Sequence, residues 1–511
     1  MENEKTNNND NSYKHILKYT GVFASVQMLG ILVGVIRNKF TAIFLGPSGM
    51  GLLSLFNSTA TFVSSATNLG IPTSGVKIVS DSRGCETKDG ESEVQSISEV
   101  ETVAASLQTI ESVILVRTFS LLAAFLGLLV CACLGPVLNL FTFSWGNHTL
   151  HYVLLAPTVF FTILAGGETA VLKAMGQLRA LAMQASLLAI FSLLVSVPIY
   201  WFFEQSGILA VLFLVAFCQW LLCLRFSRRI VHWSVNFSKM TLVRGLPLLR
   251  LGISFVLAGM MNSGAEFLVR AFLNTQGDLE MVGLFNAGVT IVVVYAGMVF
   301  SVMDSDYFPR LSSIVGGRKT PEIVEQRNVT VNRQLEMNVL LIGPIVAVMI
   351  LFLPIIIRIL YSSEFSGMLL MTQMAAVGML FKAIYLPIEY LPLSRGESKV
   401  FFVQESFCVI LLAACEIGGY LLAELFGLGL GITLAYMVES VAVLIFSRLY
   451  YGYRLSRKAM GYIAFHFCAL LVIALAALFD GKSLFYMVAV GLLCIVSIAF
   501  SLIRIRKSLQ N

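Results

Sequence analysis

The sequence predicts an all-α, polytopic membrane protein with about fourteen transmembrane helices, and three observations predict it. Hydrophobic residues make up 57% of the chain and charged residues only 13%, whereas a soluble domain carries roughly 25% charge. Apolar runs close to the ~20 residues needed to cross a bilayer recur from end to end. Lys and Arg collect between alternate runs, the pattern that orients helices in a membrane. A water-soluble protein of 511 residues would require a charged surface that this chain lacks.

The opening MENEKTNNND is polar and makes residues 1–15 an N-terminal tail. The first apolar run, from Ile16, is long enough to span rather than to be cleaved as a signal peptide. Residues 16–224 form a predicted N-lobe of six spans, at 16–36, 42–70, 112–134, 152–174, 180–203 and 207–224. A basic linker, 225–247, leads to a C-lobe at 248–449 with six more, at 248–272, 281–303, 336–360, 367–390, 400–422 and 427–447. Two further spans, 460–479 and 483–503, and a short tail complete residues 450–511.

The charge pattern tests this assignment. With the N-terminus inside, the inner segments are 1–15, 71–111, 175–179, 225–247, 304–335, 391–399, 448–459 and 504–511. About 28 of the 35 Lys and Arg residues fall in or beside them, as the positive-inside rule expects. The outer segments 135–151, 204–206, 273–280, 361–366 and 423–426 contain none, and Lys482 is the basic residue of an outer loop. Both termini are therefore expected inside. The same rule accounts for the net charge of +6, so no nucleic-acid partner is indicated.

The remaining motifs exclude several chemistries. Eight of the nine cysteines sit in apolar runs, without CxxC or Cys/His spacing, and read as apolar fillers; no metal site is indicated. No GxxxxGK[ST] occurs, so the chain holds no ATP-hydrolysing module of that type. His148, His151 and His232 read as loop histidines, and no catalytic residue is assigned. The acidic, Ser-rich stretch within 85–111 reads as a solvated inner loop.

An internal echo suggests duplication. The stretch from Arg37, RNKFTAIFLGPSGMGLLSLFN, and that from Val269, VRAFLNTQGDLEMVGLFN, each follow a basic residue with a turn and then Leu-Phe-Asn (Leu55-Phe56-Asn57 and Leu284-Phe285-Asn286). Secondary transporters are commonly built from repeats around a midplane site.

Three stretches carry a resemblance: LGPSGMGLLSLFN at 45–57, VLKAMGQLRALA at 171–182 and DYFPRLSS at 306–313. In that order they resemble the O-antigen translocases (Wzx-type flippases) of the multidrug/oligosaccharidyl-lipid/polysaccharide exporter superfamily. The resemblance implies two six-helix lobes around a central cavity that opens alternately to either side of the bacterial inner membrane. It implies a cargo of undecaprenyl-diphosphate-linked oligosaccharide, with membrane lipids and the polysaccharide polymerase and chain-length machinery as partners. The last two helices exceed the common twelve-helix pattern of the family; the lipid II flippases also have fourteen.

Such cargo needs a polar path across about 30 Å of hydrocarbon, and ionisable residues within the spans are the candidates to line it. Arg37, Arg270 and Lys382, with Lys39, are the expected diphosphate ligands, since Arg offers a planar donor fork and Lys a point charge. Arg37 and Lys39 are expected at the outer end of the first helix, with Arg270 at the equivalent place in the seventh. Arg117 and Arg358, near other helix ends, are expected to snorkel toward the headgroups. Glu266 lies four residues before Arg270 and is expected to pair with it on one helix face. Glu266, Glu168 and Glu439 are the ion-coupling candidates, with H⁺ or Na⁺ as the ion and no other cofactor. A cation-coupled multidrug exporter and a lipid II flippase are the alternative functions. A membrane polymerase or ligase is disfavoured because the outer loops are short.

Overall fold

A bilayer offers the backbone no water, so spanning segments must satisfy their own donors and acceptors, and a helix does so internally. The computed structural model describes residues 2–88, 99–143, 148–315, 321–480 and 484–510, and these contain no strand. Residues 89–98 of the acidic stretch and Lys482 lie outside the described residues. The helices are α1 (Glu2–Thr67), α2 (Ile71–Lys88), α3 (Glu99–Phe143), α4 (Thr149–Ala174), α5 (Leu178–Phe203), α6 (Ile208–Ser227), α7 (Lys239–Arg244) and α8 (Leu246–Gln276). They continue with α9 (Leu279–Val289), α10 (Met298–Val315), α11 (Pro321–Leu360), α12 (Leu369–Ser394), α13 (Ser398–Tyr451), α14 (Arg457–Asp480) and α15 (Leu484–Gln510).

Ten helical stretches among the described residues are long and apolar enough to cross a membrane. Three of these break internally, at Gly46, at 204–207 and at Ala423–Glu424. A further apolar stretch at 279–293 continues through a π segment, Thr290–Ala296, toward α10. Counting each broken stretch twice gives about fourteen spans of the ~20-residue kind. The chain is a multi-pass membrane protein.

The break at Gly46 differs from the sequence reading in an instructive way. Before Gly46, Arg37 and Phe44 of α1 lie along α5, against Ser192 and Trp201. After it, Phe56 and Phe62 lie against Tyr152 of α4 and Phe267 of α8. Gly46 has φ 63°, a left-handed value that glycine adopts without strain. Pro47 then opens the next helix, where its missing N–H costs nothing. The apolar run ended near residue 36 because Arg37 and Lys39 interrupt it, yet the helix continues through both. Arg37 is therefore not at a helix end: it lies nine residues before the break, roughly 13 Å along the axis at 1.5 Å per residue.

The chain divides into two units, 1–275 and 276–511. In the first, α8 touches the second half of α1 through Arg270 on Ser54 and Phe267 on Phe62. Small residues bring the two helices together. A Cβ on Gly70 would meet the carbonyl oxygen of Gly252 at 2.3 Å, and one on Gly259 would sit 3.7 Å from Ser65 Cβ. Gly70 itself has φ +69° at the start of α2. Helices α2 and the start of α3 occupy much of what reads in sequence as an inner loop.

In the second unit, the two halves of α13 form a hairpin sealed by glycine. A Cβ on Gly419 would strike the Gly427 carbonyl at 2.1 Å, and one on Gly431 would strike that of Cys415 at 2.2 Å. Close backbone approach through small residues is a common means of joining membrane helices. At one end of the unit, Asn332 of α11 holds the 452–456 connector. Its Nδ2 donates to the Arg454 carbonyl at 2.9 Å, and its Oδ1 accepts from Ser456 N at 2.8 Å and from the Tyr453 hydroxyl at 3.1 Å.

Candidate functional site

Among the described residues, three groups of ionisable side chains inside the spans stand out, two in the first unit and one in the second. The first contains the arginines expected to meet cargo. Arg37 Nη1 donates to Ser192 Oγ of α5 at 2.7 Å. Arg270 Nε donates to Ser54 Oγ of α1 at 2.9 Å, and its Nη1 donates to the Glu266 carbonyl at 3.0 Å and to Glu266 Oε2 at 3.3 Å. The expected Glu266–Arg270 pair is thus present. It is uneven: the Arg270 side chain is 12% exposed and that of Glu266 58%, so the carboxylate reaches out while the guanidinium stays within. Lys39 lies on α1, two residues beyond Arg37 and partly exposed.

The second group was not legible as a group. Arg117 of α3 meets Glu168 of α4 through two parallel hydrogen bonds, Nε to Oε1 at 2.9 Å and Nη2 to Oε2 at 3.2 Å. The same guanidinium donates to Ser227 Oγ at 2.6 Å and to the carbonyls of His232 at 2.8 Å and Val231 at 3.3 Å. The side chains are 1% and 4% exposed. Arg117 therefore does not snorkel; it fastens α3, α4, the end of α6 and the connector beyond it. Gly167 permits the approach, because a Cβ there would sit 2.0 Å from Ser120 Oγ on α3. Glu168, expected as an ion-coupling carboxylate, has both oxygens engaged by Arg117.

The third group lies on three helical segments of the second unit. Glu389 and Lys382 come from α12, Cys408 and Glu405 from the first half of α13, and Glu439 from its second half. One ligating atom each of Glu389, Cys408 and Glu439 lies within 4.8 Å of the other two, and all three residues are buried. Lys382 Nζ stands 5.5 Å from the centre of the Tyr436 ring and within electrostatic reach of Glu389 and Glu439. Its charge thus faces carboxylates, where the sequence reading placed it toward a diphosphate.

Outside the spans, His148 precedes α4 with its ring 4.1 Å from that of Phe143. Burial, together with neighbouring His151, lowers its pKa from the usual 6.5. His232 contributes its carbonyl to Arg117. Neither forms a nucleophilic or general-base arrangement with the groups above.

Comparison with solved structures decides the architecture. The chain superposes on the lipid II flippase MurJ in an inward closed conformation with a TM-score of 0.63 at 15% identity, covering 96% of this chain and 99% of that one. The fold is that of the MOP superfamily. An inward-facing multidrug resistance MATE transporter of the same superfamily gives 0.59 at 14% identity, over 84% of this chain and 98% of the other. A MOP transporter from Pyrococcus furiosus, described as having a binding pocket of reversed polarity, gives 0.56 at 14%, over 85% and 96%. No family model matches the sequence, and no curated protein does. The likeness to MurJ extends over 96% of the chain.

Proposed function

We propose that this protein is a flippase that moves an undecaprenyl-diphosphate-linked oligosaccharide, the repeat unit of O-antigen or a similar surface polysaccharide, from the cytoplasmic to the periplasmic leaflet by alternating access. The observation that carries the proposal is the setting of Arg37 and Arg270. Both belong to apolar helices, and both are held by neutral serine hydroxyls. A hydroxyl orients the Arg37 guanidinium without cancelling its charge, which leaves it to attract phosphate oxygens that would otherwise lose hydration in the bilayer, whereas Arg270 also carries the Glu266 carboxylate. Lys39 adds positive charge nearby in sequence, whereas Lys382 contributes to charge balance among Glu389 and Glu439. In this scheme the protein performs no covalent chemistry. It works in the inner membrane with both termini inside, beside the polymerase and chain-length machinery that receive its product.

H⁺ or Na⁺ is the proposed coupling ion, and Glu266 is the carboxylate best placed to respond to it. Its half-exposed pair with Arg270 is of a kind worth at most about 1 kcal/mol, so protonation or cation binding releases Arg270 at little cost. Glu168 and Glu439 are bound up with Arg117 and with Glu389–Cys408, respectively.

Arg37→Ala and Arg270→Ala are each expected to slow translocation roughly tenfold or more, the loss of about 1.4 kcal/mol of cargo stabilisation, while leaving membrane insertion unchanged. The measurement is appearance of a labelled diphosphate-linked oligosaccharide on the far face of proteoliposomes. Normal transport by both variants, or none by the parent protein, overturns the proposal. The likeness to MurJ makes lipid II the second cargo to assay. The acidic cluster of the second unit makes a cationic drug the third, and transport of either in place of the oligosaccharide replaces this reading.

A further inference from the structure

We infer that Glu389, Cys408 and Glu439 form a binding site for a thiophilic divalent cation of the Zn²⁺ type, joining α12 to both halves of α13. The sequence gives no hint of it, since the three residues are far apart in the chain and share no ligand motif. The fold brings their ligating atoms to within 4.8 Å of one another. Around a tetrahedral zinc with bond lengths of 2.0–2.3 Å, neighbouring ligand atoms lie about 3.5 Å apart, so closing the set requires shifts of an ångström or so.

Two further observations point to a ligand. Glu389 is 6% exposed, and its Oε1 is buried with no hydrogen-bond partner. A buried carboxylate oxygen with nothing to receive from is costly, and a cation supplies what is missing. Gln404 lies one turn before Cys408 on the same helix, and both of its amide atoms are also buried without partners, which makes it a neutral candidate for the fourth position.

Charge selects the class of ion. A thiolate and two carboxylates bring three negative charges. Lys382, facing Glu389 and Glu439, brings one positive, which leaves an excess of negative charge for a divalent ion to offset in a region of low dielectric. Glu405, Tyr385 and Tyr436 are the other titratable groups facing the cluster. The sulfur favours zinc, cobalt or cadmium over Na⁺ or Mg²⁺, which prefer oxygen ligands.

The test uses purified full-length protein in detergent, titrated with Co²⁺. A near-ultraviolet thiolate-to-cobalt charge-transfer band is expected, lost in Cys408→Ser and displaced by Zn²⁺, with affinity falling at least roughly tenfold in Glu439→Gln. In the unaltered protein, Zn²⁺ is expected to protect Cys408 from a membrane-permeant maleimide. That readout decides the matter even if Cys408→Ser fails to fold. Absence of the band, a band that persists without Cys408, or labelling of Cys408 unaffected by Zn²⁺ overturns the inference. Metal is read on the protein alone, so the outcome stands whether or not the chain moves glycolipid.

Discussion

Arg117→Ala is expected to destabilise the protein by about 3–5 kcal/mol, the range for removing one partner of a buried ion pair. The substitution strands the Glu168 carboxylate, 4% exposed, and leaves Ser227 and the Val231 and His232 carbonyls without the donor that now joins them. The effect should appear as a sharply lowered midpoint of thermal aggregation and a smaller yield of monodisperse protein. The pair itself is not irreplaceable. Arg117→Met combined with Glu168→Leu removes both charges together and is expected to recover much of the stability, because well-packed apolar groups often match a buried ion pair. This double variant also separates two roles for Glu168. If the carboxylate only fastens α4 to α3, the stable double variant should translocate cargo; a stable but inactive protein would return Glu168 to the ion-coupling pathway. Parent-like thermal behaviour in Arg117→Ala would show that the network does not hold the unit together.

The second large effect concerns motion. Ser65→Cys with Gly259→Cys is expected to form a disulfide on mild oxidation and to reduce translocation to background. The Cβ–Cβ separation of 3.7 Å falls in the range of natural disulfides, about 3.5–4.5 Å. No other heavy atom beyond the neighbouring chain lies within 4 Å of a Cβ at 259 apart from those of Ser65, so the new side chain has room. Arg270 of α8 is held on Ser54 of α1, and we propose that cargo reaches it only when the second half of α1 and α8 part. A bond between them should stop the cycle, and a reductant should restore it. Each single cysteine variant should remain active under the same oxidant, which controls for the native thiols. Full transport by the cross-linked protein would show that this contact does not open during translocation.

Several features are legible in the order of the residues alone. The Glu266–Arg270 pair follows from a spacing of four on one helix. The membrane class and the number of spans follow from composition and run length. The limits of such reading show at Arg37. Charge inside a span breaks an apolar run, so hydropathy placed the helix end at Arg37 and moved this residue away from the interior. Arg117 and Cys408 failed differently. One resembled a headgroup anchor and the other an apolar filler, since neither has a telling neighbour in sequence.

What the sequence by itself determined is what each segment must do alone: hide its backbone in a helix and match the thickness of the bilayer. These are costs summed residue by residue, and run lengths and charge counts record them. Only the tertiary structure decided which buried charges meet. The partner of Arg117 lies on another helix, and Glu389, Cys408 and Glu439 come from three segments. The energy of a buried ion depends on what stands within a few ångströms of it, and that distance is fixed by packing, with no trace in the order of the residues.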